Sequence, residues 1–64
     1  MQAHQERVMI ERDDLALKIA RLESFLTGGI FSTLPVEEQT RLMEQHGHMK
    51  KYHDVLFKRI SAFE

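Results

Sequence analysis

The sequence predicts an all-α protein: an antiparallel two-helix hairpin whose apolar seams pack on each other and assemble into a helical-bundle homo-oligomer. Three observations lead there. Apolar residues recur at alternating four- and three-residue steps on both sides of a single turn-like stretch, from Thr27-Gly28-Gly29 to Leu34-Pro35. The chain has 64 residues, 42% of them apolar, with nine basic and ten acidic side chains interleaved, a composition that suits one soluble domain. A domain of this size buries only about 60% of the surface its unfolded chain exposes and ordinarily needs a disulfide, a metal or a partner. Cysteine is absent, which excludes disulfides, thiolate zinc sites and thiol nucleophiles. Residues 1–64 therefore read as a single helical-hairpin domain stabilised by association.

The first helix is expected over residues 4–26. Val8, Leu15 and Leu22 repeat every seven residues, with Ile19 and Leu26 between them; at about 100° per residue all five fall within about 60° of arc. Gly28 stands where a left-handed capping residue would close this helix, because glycine has no Cβ to clash there. A connection over residues 27–34 follows, short enough to make the two helices antiparallel neighbours.

The second helix is expected over residues 35–63. Pro35 suits its first helical position, where the missing N–H leaves no bond unmade, and Glu37 and Glu38 favour the positive helix end. Leu42, Met49, Leu56 and Phe63 form one seven-residue series, and His46, His53 and Ile60 form the other, a heptad pattern that argues for coiled-coil-like packing. Gly47 interrupts it. An interior glycine lowers helix stability by about 1 kcal/mol against alanine, and His46-Gly47-His48 is where this helix would kink or loosen.

A second set of apolar residues points away from both seams: Met9, Ile10 and Leu17 on the first helix, Met43, Tyr52, Val55 and Phe57 on the second. Two helices facing each other cannot cover these. The expected assembly is a dimer that forms a four-helix bundle, or a higher oligomer.

The chemistry-bearing residues exclude more than they nominate. No native metal or cofactor is expected: His46 and His53 lie seven residues apart, His46 and His48 two apart, and neither spacing is that of a helical zinc pair. The seam histidines read as polar residues that fix register. Arg12 occupies a seam slot between Val8 and Leu15. A register that pairs Leu22 with Leu42 and Leu15 with Met49 sets Arg12 beside His53, in a polar layer. That layer is either a structural network with Glu11, Asp54 or a partner-chain carboxylate, or an anion site that uses the guanidinium fork.

No glycine-rich phosphate loop or nucleophile motif is present, and Glu6, Glu11, Asp13, Asp14 and Glu23 read as solvated charges, so the protein is not expected to be an enzyme. Lys50, Lys51, Lys58 and Arg59 are broken up by acidic residues and scatter around the helix, which argues against nucleic-acid or membrane-surface binding. No apolar run approaches the roughly 20 residues of a membrane span, and the segment MQAHQERV lacks the apolar core of a signal peptide; a cytoplasmic location is expected.

One resemblance spans nearly the whole chain. It is carried by His4-Gln5, Arg7-Val8, Glu11, Leu15, Ile19, Leu22 and Phe25, then Phe31, Leu34-Pro35, Glu37-Glu38-Gln39, Arg41-Leu42, Gln45, Met49, Tyr52, Leu56, Arg59-Ile60 and Ala62-Phe63. This pattern of helical positions resembles a family of small phage and prophage proteins related to a product of a crAss-like phage. The chain departs from it at His46-Gly47-His48, where stronger helix formers would be expected. The resemblance implies a phage accessory protein that acts on host machinery, including bacterial immunity, by binding without turnover, inside the host cytoplasm.

Two functions from different classes then compete, with a structural phage component as a third. The first is inhibition of a host protein through Tyr52, Phe57 and Phe31, aromatic residues off the seams of the kind that anchor interfaces. The second is an oligomeric sponge for a nucleotide immune signal, its phosphate held by Arg12 with His53 or His46.

Overall fold

The computed structural model describes residues 2–63. Helix α1 runs Ala3–Leu26, a 3₁₀ turn covers Phe31–Thr33, and helix α2 runs Val36–Ser61. The two helices pack against each other as a hairpin. No described helix is long and apolar enough to cross a membrane.

α1 starts from an extended Gln2, whose backbone N–H donates to Gln5 Oε1 at 3.1 Å, one arm of a capping box. Its far end corrects the expected glycine cap. Among the described residues no φ is positive, and Gly28 does not take the left-handed conformation. Thr27 closes the helix instead, in the right-handed region, with its hydroxyl donating to the carbonyls of Glu23 at 3.1 Å and Ser24 at 3.2 Å. A side chain that satisfies the last carbonyls removes the need for a left-handed turn.

The connection is held by short-range bonds. Thr33 Oγ1 donates to the Ile30 carbonyl at 2.6 Å and Ser32 Oγ to the Gly29 carbonyl at 2.9 Å. Gln39 Nε2 reaches back from the first turn of α2 to the Leu34 carbonyl at 2.8 Å. Pro35 is also placed differently from the expectation: with φ −55° and ψ 146° it is the extended capping residue, and Val36 is the first helical one. Its carbonyl starts the ladder by accepting from Glu38 and Gln39 N–H, both at 3.0 Å. A proline in extended conformation turns the chain into α2 while keeping Leu34 in the extended region that residues before proline prefer. α2 then passes through Gly47 unbroken, and a Cβ built there would meet no atom within 4 Å.

The predicted seams are the packed ones. Val8 and Leu15 are 7% exposed and Leu56 is fully enclosed, with Ile19, Met49, Ile60 and Phe63 packed around them. Leu22, Leu26, Leu42, His46 and His53 are half-buried on the same seams. The fully buried centre thus lies in the half of the hairpin away from the connection. The molecule measures 47 × 15 × 13 Å, so this core is a single layer between two helices and its flanks are open.

Candidate functional site: two depressions flanking the helical seam

A shallow depression lies on each flank of the seam. On the first, Arg7, Glu11, Asp14 and Lys18 follow one another at four-, three- and four-residue steps, which sets them in one stripe beside the buried Leu15. Tyr52 from α2 completes a groove of about 360 Å³ floored by Ile10 and Leu15. Two cations, two carboxylates, a phenol and an apolar floor therefore converge on one surface.

On the second flank Ala16, Ile19 and Glu23 of α1 meet Lys50 and His53 of α2 around a depression of about 270 Å³. Beside it His46 Nε2 bonds Glu23 Oε2 at 2.9 Å, a polar link between the two helices. The sequence reading placed Glu23 among the solvated charges and so missed this bond. Side chains of an α-helix lean toward its N-terminus. In an antiparallel pair those of α1 thus lean away from the connection and those of α2 toward it. Glu23 and His46 reach each other through this double lean.

The expected layer sets Arg12 beside His53. His53 lines the second depression with Ala16 and Ile19. Arg12, further from the connection, turns to its neighbour Asp13, with Nη2 and Nε at 3.0 and 3.1 Å from Oδ1. Among the described residues no hydrogen bond joins Arg12 to His53, and the carboxylate that pairs Arg12 is neither Glu11 nor Asp54.

The three candidate contact aromatics occupy three surfaces. Tyr52 lines the first groove. Phe57, 57% exposed, lies five residues further on, about 140° around the helix. Phe31 packs edge-to-face on Phe25 at the closed end of the hairpin, with ring centroids 6.4 Å apart. Other charged contacts are surface pairs along α2: Arg41 with Glu38 at 3.0 Å, His48 with Glu44 at 3.7 Å and Lys58 with Asp54 at 3.2 Å.

Comparison with known proteins places the chain in a phage context. It is 44% identical, over 64 residues and 100% of both chains, to a 7.5 kDa protein from the denB-rIIB intergenic region of Enterobacteria phage T4. This supports the resemblance to small phage proteins; the relation to a crAss-like phage product rests on the residue pattern alone. No solved structure matches the chain. The Sequestin family model covers residues 2–62, nearly the entire hairpin including both depressions, and the chain thus belongs to the Sequestin family.

Proposed function

We propose that the protein is a non-catalytic phage sponge: a helical homo-oligomer in the host cytoplasm that sequesters a nucleotide-type immune signal. The groove of Arg7, Lys18 and Tyr52 carries this reading. Arginine and lysine bind phosphate oxygens by charge-assisted hydrogen bonds. The tyrosine ring offers a face on which a base can stack. Glu11 and Asp14 are acceptors for base amino groups or ribose hydroxyls. The groove volume of about 360 Å³ falls in the range of small-molecule sites.

The family's name supports capture as the mode of action. Inhibition of a host protein through an aromatic hot spot draws less support, since Tyr52, Phe57 and Phe31 do not share a surface. The anion site moves accordingly, from Arg12 with His53 and His46 to Arg7 with Lys18 and Tyr52.

Thermal-shift titration with cyclic nucleotides and nucleotide sugars tests this. A ligand at a hundredfold excess over its Kd stabilises the fold by about 2.7 kcal/mol. Arg7→Ala, Lys18→Ala and Tyr52→Ala are expected to abolish the response, and Arg12→Leu to retain it. Loss of the response in Arg12→Leu with retention in Arg7→Ala would return the site to Arg12. The host-protein reading takes precedence if no nucleotide binds and a host protein is retained in a Phe57-dependent way.

A further inference from the structure

We infer that Glu11 and Asp14 make the Arg7–Lys18 groove selective by charge: it takes nucleotides whose phosphates are capped as diesters and rejects free polyphosphates such as nucleoside triphosphates. This rests on the sequestering reading and deepens it, since it assigns the two carboxylates a role in choosing the ligand. The first argument is the order of the charges. Along α1 the stripe runs cation, carboxylate, carboxylate, cation at Arg7, Glu11, Asp14 and Lys18. All four are exposed, and among the described residues none of them forms an ion pair, so each is open to a ligand. The groove therefore carries as many negative charges as positive ones, whereas a site for polyphosphate gathers cations around the chain of phosphates.

The second argument is spacing. Arg7 and Lys18 stand at the two ends of the stripe, about 16 Å apart along the helix axis. A chain of three phosphates is shorter than that. It either gathers at one cation, one helical turn from a carboxylate, or lies midway over both carboxylates. A diester phosphate brings a single charge, which one cation meets, and the sugar hydroxyls and base amino groups beside it donate to Glu11 and Asp14.

The third argument is magnitude. In water at physiological salt, two unit charges about 8 Å apart change an affinity by roughly 1.5-fold. ATP carries about three more negative charges than a cyclic monophosphate, and against two carboxylates the effect compounds to about tenfold. Repulsion of this kind separates two ligands that share the recognised base and sugar, where added contacts would favour both.

Calorimetry with ATP and 3′,5′-cyclic AMP, in the absence of divalent cations, tests the inference. The parent is expected to bind cyclic AMP more tightly than ATP. Glu11→Gln combined with Asp14→Asn keeps a carbonyl acceptor at each position, and is expected to raise ATP affinity about tenfold relative to cyclic AMP with unchanged helical circular dichroism. Glu44→Gln removes the same charge from an exposed residue of α2 outside the groove and is expected to leave the ratio as it was. ATP binding to the parent as tightly as cyclic AMP overturns the inference, and so does an equal gain in Glu44→Gln. If cyclic AMP does not bind the parent, ATP alone decides. The inference then holds where the double variant binds ATP and loses it on Arg7→Ala or Lys18→Ala, and falls where the double variant gains no ATP binding. The sequestering reading fails separately, when no nucleotide of the thermal-shift panel stabilises the parent.

Discussion

Among the described residues Leu56 is the one side chain that is fully enclosed. Leu56→Ala is expected to lose about 2–5 kcal/mol, read as a lower denaturation midpoint with an unchanged denaturant slope. Arg12 lies on the other helix, α1, and behaves in the opposite way. Its partner Asp13 is 69% exposed and Arg12 itself 27% exposed, so truncation leaves a carboxylate that water can solvate. Arg12→Ala is expected to cost less than about 1 kcal/mol. Arg12→Leu, which extends the Val8–Leu15–Ile19 seam, should leave stability equal or higher. Urea titration of both variants checks this; a loss of about 3–5 kcal/mol in Arg12→Ala would instead mark a buried ionic network.

Of the two helices, α2 carries the weakest internal position. Gly47 sits within a continuous helix with open space where its side chain would be. Gly47→Ala is therefore expected to raise stability by about 1 kcal/mol and the melting temperature by about 4–8 °C, without changing the hairpin. At the connection, the Gln39 side chain is the link that joins α2 to the residues before it, at 2.8 Å from the Leu34 carbonyl. Gln39→Ala removes that bond and is expected to cost about 0.5–1.5 kcal/mol, with increased amide exchange at Ser32–Leu34. Unchanged exchange there would show that Thr33 and Ser32 hold the turn by themselves.

The whole molecule is long and thin. Its radius of gyration is 14.7 Å, against about 10.7 Å for a compact chain of this length, which is why so few residues are fully buried. A net charge of −1 gives no long-range attraction for an anionic ligand, so binding relies on the local field of Arg7 and Lys18 at an open groove. Such a field is screened within about 10 Å at 0.1 M salt and about 3 Å at 1 M. Nucleotide affinity measured by calorimetry is expected to fall steadily over that range, and a salt-independent affinity would place the ligand away from these cations.

What the sequence by itself determined is the pair of helices, their seams and the turn between them. Helical periodicity is local: a repeat of 3.6 residues writes the buried face of each helix into its own residues, so Val8, Leu15, Ile19, Met49, Leu56 and Ile60 could be read before any packing was known. The stripe of Arg7, Glu11, Asp14 and Lys18 was legible by the same spacing, although none of its members stood out singly. Two local details, the glycine cap at Gly28 and Pro35 as a helical residue, failed because Thr27 and Gln39 supply side-chain bonds that backbone preferences do not encode. Only the tertiary structure decided which residues of one helix meet which of the other. Glu23 with His46 and Tyr52 beside the Arg7–Lys18 stripe both depend on the opposed lean of side chains in an antiparallel pair. That offset belongs to neither helix alone, since it exists only once both stand side by side in opposite directions.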